Sequence, residues 1–209
     1  MSSQQVSKAL TALVIGGTGP TGHFIVNGLL TRGYRVAILH TGNHEVAEIP
    51  PSVEHIHTDP YDPDCLSDAL AGRQFTLCIA AYGRLRVIAE LMRERCEAFI
   101  SIGGQPCYLG YMNPRVHRPE GLVVPTGEQA ELVSSADQDE KGFRIVKTER
   151  ALFKALPHAT HFRYPIVYGP YQALPREWCI VKRIIDKRPH IILPDDGLSL
   201  LSMGYAENL

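Results

Sequence analysis

Short apolar runs alternate with amphipathic segments along most of this chain. A continuous apolar run bounded by turn residues predicts a strand covered on both faces, whereas apolar residues three and four apart predict a helix packed by one face. On these rules strands are predicted at 12–15, 35–39, 53–57, 75–81, 98–102 and 160–167, and helices at about 23–32, 65–70, 84–95 and 139–156. Such alternation implies right-handed β-α-β units and a parallel sheet. The rhythm breaks over 103–138, a long loop rich in Gly and Pro, and loops of that length in a compact domain are usually functional. Beyond Tyr168-Gly169-Pro170 come a helical patch at 178–185, an apolar run at 190–193, and at 204–209 what reads as the first turn of a helix. A helix that short is unstable alone, so the chain reads as a truncated form of a longer protein.

The connection between the first strand and the first helix holds the most specific signal. Gly16, Gly19 and Gly22 stand at the spacing G-x-x-G-x-x-G, directly after Leu13-Val14-Ile15 and before Phe24–Leu30. Without a Cβ the main chain can turn sharply and approach a diphosphate, and the helix start offers unpaired N–H groups and a positive dipole end. Strand, glycine turn, helix and second strand form the context that a dinucleotide-binding motif requires.

Composition narrows the classes. With 209 residues and a net charge of −1, the chain can bury a substantial core and has no electrostatic case for nucleic acid or an anionic membrane. Arg84, Arg86, Arg93 and Arg95 read as a solvated helix face. Cys65, Cys78, Cys96, Cys107 and Cys179 are odd in number and lack C-x-x-C spacing, which argues against a disulfide framework and a zinc site; no metal is expected. No apolar run approaches the roughly 20 residues that span a bilayer, and the start lacks an apolar signal region. The expectation is a soluble, cytoplasmic protein.

In this order the features resemble the extended short-chain dehydrogenase/reductase family, the NAD-dependent epimerase/dehydratases. The resemblance rests on the glycine turn, Asp59, Ala80-Ala81, Lys147, and Arg163-Tyr164-Pro165-Ile166-Val167-Tyr168-Gly169-Pro170, similar to the family's R-Y-x-N-V-Y-G-P segment. It implies an α/β Rossmann fold, a doubly wound parallel sheet in the order 3-2-1-4-5-6, with a dinucleotide across the carboxyl ends of the strands. Residues 1–169 would form the dinucleotide-binding domain and 170–209 the start of a truncated substrate-binding region. The implied cofactor set is Gly16, Thr18, Gly19, Pro20, Thr21, Gly22, His40, Thr41, Asp59, Ala80, Ala81, Tyr82, Lys147, Tyr164 and Pro165. Asp59 would sit near the adenine or serve as a turn residue before Pro60; Lys147 would reach the nicotinamide ribose or remain a solvated helix charge. The cofactor is NADP or NAD. With no carboxylate at His40-Thr41 to repel a 2′-phosphate, and His40 and His44 able to donate to one, the reading leans to NADP.

The departures bear on catalysis. Phe143-Arg-Ile-Val-Lys147 stands where the family has Tyr-x-x-x-Lys, and phenylalanine carries no hydroxyl. Gly103 and Gly104 fall where its serine or threonine belongs, unless Ser101 serves through a shifted register, and Ile166 replaces the Asn. This pattern is similar to the atypical branch that lacks the tyrosine. Tyr82 and Tyr108 become the candidate acids beside Lys147, while Arg176 and Trp178 are candidates for a substrate pocket. His158 and His161 read as surface residues. The expected function is an NAD(P)-binding oxidoreductase, epimerase or dehydratase acting on a small carbonyl or sugar-nucleotide substrate through a non-standard catalytic site. The alternative is a non-catalytic dinucleotide-sensing or partner-binding module. An exposed sheet edge and uncovered apolar surface also suggest a homo-oligomer.

Overall fold

The computed structural model describes residues 9–209 apart from Tyr82 and Ala173. Six parallel strands form its main sheet: β1 (Thr11–Ile15), β2 (Arg35–His40), β3 (Glu54–His57), β4 (Phe75–Ala80), β5 (Cys96–Gly104) and β6 (Thr160–Tyr164). Their order is β3-β2-β1-β4-β5-β6, the doubly wound arrangement anticipated from the sequence. Helices α1 (Gly22–Thr31), α2 (Pro63–Ala69), α3 (Leu85–Met92) and α4 (Glu140–Ala155) connect or flank these strands.

Alternation along the strands sends side chains to two cores. Leu13, Ile15, Leu39 and Cys78 pack with Leu66, Ile88, Met92 and Leu152 on one side of the sheet. Ala12, Val14, Val36 and Ile38 pack with Val26 and Leu29 of α1 on the other. Covering both faces explains why the central strands read as unbroken apolar runs.

The long loop is packed. It contains short 3-10 turns at Gln105–Cys107 and Pro114–Val116, and a bridge joins Tyr108 to Leu132. Cys107, Tyr108, Leu109 and Val133 form a third apolar cluster against Val146 of α4. Asp139 caps α4 by accepting from the Gly142 N–H at 2.9 Å.

Two sequence expectations change. The strand expected at 160–167 divides at Pro165: β6 stays in the main sheet, while β7 (Ile166–Tyr168) pairs in parallel with β8 (Met203–Tyr205) in a second sheet. Proline offers no N–H to a ladder, so the chain changes partner there. Residues 204–209 accordingly hold the end of β8 and a 3-10 turn, Ala206–Asn208, where the start of an α-helix was expected. Helix α5 (Trp178–Ile185) buries none of its residues.

Candidate functional site

The carboxyl ends of β1, β2 and β4 are drawn together by backbone bonds. The Gly16 N–H donates to the Leu39 carbonyl at 2.9 Å, and the Ala81 N–H to the Ile15 carbonyl at 2.9 Å. Above them opens a cavity of about 610 Å³, of the size that holds small-molecule ligands. One wall is the glycine turn: Gly16, Thr18, Gly19, Pro20 and Thr21. The β2 end adds His40, Thr41, His44, Glu45 and Val46, and the far side Ala81, Ile102, Tyr164, Val167, Tyr171 and Gln172.

The turn fits a diphosphate. Gly16 has φ +87°, in the left-handed region. A Cβ on Gly22 would lie 2.1 Å from the Gly17 carbonyl oxygen, so only glycine lets α1 start this close to the turn. Thr21, at the helix N-cap, makes no side-chain capping bond, leaving the positive end of α1 open to an anion.

At the β2 end His40 is buried, and desolvation, above all, lowers its pKa; the Glu45 charge opposes that fall, while His57 and His55 reinforce it. Glu45 is the carboxylate that reading only His40-Thr41 overlooked. It comes from the β2–β3 loop, where no periodicity predicts its direction, and its exposed side chain lines the cavity.

The cavity brings together nine residues of the cofactor set expected from sequence, Gly16, Thr18, Gly19, Pro20, Thr21, His40, Thr41, Ala81 and Tyr164, and His44 with them. Gly22 stands just behind them in the first turn of α1. Asp59 is exposed and its Oδ1 accepts from the Tyr61 N–H at 2.8 Å, as a turn residue does. Lys147 is exposed on α4 with Nζ 5.6 Å from the Phe143 ring centroid, one turn earlier. Ala80 ends β4 as a core residue, and Pro165 separates β6 from β7. Tyr82 lies outside the described residues.

Tyr108 belongs elsewhere. It is buried, and its hydroxyl accepts from Arg163 Nη1 at 3.2 Å. Arg163 also donates to both oxygens of Glu149, at 3.0 and 2.7 Å. His161, expected at the surface, has a side chain only 4% exposed, with Nε2 3.3 Å from Glu149 and Nδ1 2.7 Å from the hydroxyl of fully buried Ser101. The reason is register: Ser101 pairs with His161 and Gly103 with Arg163, so all four positions share the α4 side of the sheet, whereas Ile102 faces the cavity. A Cβ at Gly103 would come within 2.5 Å of His161 Nε2. An imidazole thus fills the space beside Gly103, and Ser101 faces away from the cavity. Burial works to raise the Glu149 carboxyl, but hydrogen bonds from His161 and Arg163 and their charges overcome it and hold the pKa down at about 2.

No family model matches the sequence, and no curated protein matches it. Solved structures do share the fold. UDP-glucose 4-epimerase from Thermotoga maritima, with UDP-glucose, superposes with a TM-score of 0.71 at 18% identity, covering 95% of this chain and 70% of that one. The Bordetella bronchiseptica enzyme WbmG in complex with NAD gives 0.66 at 15%, covering 90% and 63%. The dTDP-glucose 4,6-dehydratase from Bacillus anthracis, in complex with NAD, gives 0.67 at 14%, covering 95% and 68%. This chain therefore has the Rossmann architecture of those enzymes and spans about two thirds of their length.

Proposed function

We propose that the cavity binds NAD and that the chain is an NAD-dependent enzyme of the epimerase/dehydratase kind, acting on a sugar nucleotide or a small carbonyl compound. The observation that carries the reading is the pairing of an open glycine turn and uncapped helix N-terminus with the Glu45 carboxylate at the other end of one cavity. A carboxylate beside the adenosine ribose accepts from a free 2′-hydroxyl and repels a 2′-phosphate, which reverses the lean to NADP.

The bound dinucleotide would supply hydride transfer. The chain's own residues hold the diphosphate at the glycine turn, keep the ribose at His40, Thr41 and Glu45, and exclude water with Ile102 and Val167. A proton is held at the phenol of Tyr164, whose pKa burial raises, or of Tyr171, whose hydroxyl donates to Glu48 at 2.6 Å. Both line the cavity, unlike Tyr108. The segment 170–209 contributes Tyr171 and Gln172 to the same cavity, in keeping with the start of a substrate-binding region.

Calorimetric titration tests the reading. NAD is expected to bind at least about tenfold tighter than NADP, a difference of about 1.4 kcal/mol, and Glu45→Gln to narrow that gap. If neither nucleotide binds at millimolar concentration, the proposal fails. Hydride transfer is then sought in wild type, Tyr164→Phe and Phe143→Tyr. Activity lost in Tyr164→Phe identifies the acid; activity present only in Phe143→Tyr marks the natural chain as a binding module.

Self-association is part of the proposal. Ile184, Ile192, Leu198 and Leu200 are 65–79% exposed, apolar surface that a second copy would cover. Light scattering is expected to give a mass above that of one chain, falling towards it in an Ile184→Glu/Ile192→Glu variant.

A further inference from the structure

The loop between β2 and β3 closes over a cluster with no part in the glycine turn. His55 and His57 are two apart on β3, so both rings leave the same face, and the register sets His57 beside His40 on β2. Glu45 folds down from the loop onto all three. One donor atom from each of the four residues lies within 4.8 Å of every other.

Four of the donor separations lie close to the edge length of a tetrahedron around a small cation. His40 Nε2 and His55 Nδ1 are 3.1 Å apart, His55 Nδ1 and Glu45 Oε2 3.3 Å, His57 Nε2 and Glu45 Oε1 3.5 Å, and His40 Nε2 and Glu45 Oε1 3.9 Å. Zinc–nitrogen and zinc–oxygen bonds of about 2.0–2.1 Å require donor separations of about 3.3 Å at the tetrahedral angle. Hydrogen bonds alone leave the cluster short of protons. The Gly42 N–H donates to His40 Nδ1 at 3.2 Å, which in the neutral ring leaves the proton on Nε2 and makes His55 Nδ1 its acceptor. With His55 Nδ1 accepting, the Glu45 carboxylate, another acceptor, stands 3.3 Å from it with no proton between them. A cation removes that conflict by taking all the lone pairs at once.

We propose that His40 Nε2, His55 Nδ1, His57 Nε2 and the Glu45 carboxylate form a zinc site, closed by four protein ligands. Three imidazoles and a carboxylate suit borderline divalent ions such as zinc, and not magnesium or calcium. Coordination moves the His40 proton to Nδ1, so the Gly42 N–H must leave it; residues 41–43 are exposed, and water can take that N–H. Glu45 and His40 also line the dinucleotide cavity, so zinc would engage the carboxylate that selects NAD, and the NAD preference expected above is that of the zinc-free protein.

The site is tested without any dinucleotide, so the outcome is independent of whether the cavity binds NAD. Full-length protein is titrated with zinc against a chromophoric chelator, and with Co(II) followed by absorption. One equivalent is expected per chain, with tetrahedral cobalt bands in the visible and none of the thiolate-to-cobalt bands that exposed Cys65 or Cys179 would give. The Gly42 amide should shift on zinc addition in NMR spectra. His55→Gln/His57→Gln should weaken uptake at least about tenfold, as should Glu45→Gln alone, an isosteric change at a side chain that is 56% exposed. Thiolate bands, uptake insensitive to both variants, or no stoichiometric uptake at micromolar protein would overturn the assignment.

Discussion

Gly22→Ala is expected to unseat α1 from the glycine turn and to abolish dinucleotide binding. The added Cβ would lie 2.1 Å from the Gly17 oxygen, 2.4 Å from its carbonyl carbon and 2.9 Å from its Cα. All three are backbone atoms, so no rotamer change relieves the contact. Overpacking of this kind costs about 1–3 kcal/mol or more, and alanine's helix preference returns only about 1 kcal/mol. Gly28→Ala, six residues along the same helix, is the control. There the nearest atom is Arg32 Nη1 at 3.3 Å, the mobile end of a long side chain, and stability should rise by up to about 1 kcal/mol. Urea unfolding and NAD titration of the two variants check the pair. Wild-type stability and affinity in Gly22→Ala would refute this account of the turn.

The second large effect concerns the buried group beneath α4. Glu149→Ala leaves Arg163 and His161 facing a cavity in place of a carboxylate. Removing one partner of a buried ion pair costs about 3–5 kcal/mol, and the loss should appear in denaturant midpoints. Its pH dependence has a definite sign. The folded-state pKa, about 2, lies below the ordinary glutamate value of 4.5, so the contribution is fully present above about 4.5, declines as pH falls below it, and is gone below about 2. The stability gap between wild type and Glu149→Ala should therefore be flat near neutrality and narrow through that acid window. A gap that stays constant down to pH 2 would show that the carboxylate charge is not what holds α4 to β6.

These results divide along a line already visible in the sequence. The apolar runs at Leu13–Ile15, Val36–Leu39 and Leu77–Ala80 report burial on both faces, and the glycine spacing reports a turn against a helix. Both are local signals, written in neighbouring residues. Pro165 was legible too, yet its consequence was missed, because a proline announces a lost hydrogen bond without saying which strand takes over the pairing. His55-x-His57 was another readable sign: on a strand that spacing alone places both rings on one face.

The amino-acid sequence by itself determined the order of elements, their handed connections and hence a parallel sheet with a phosphate-sized turn at its centre, because hydrophobic period and glycine placement act within a few residues. Tertiary structure alone decided that Glu45 would join His40, His55 and His57, and that Ser101, Glu149, His161 and Arg163 would meet behind the cavity. Those partners are up to 62 positions apart, and what aligns them is strand register and the docking of α4, which depend on the packing of the whole sheet.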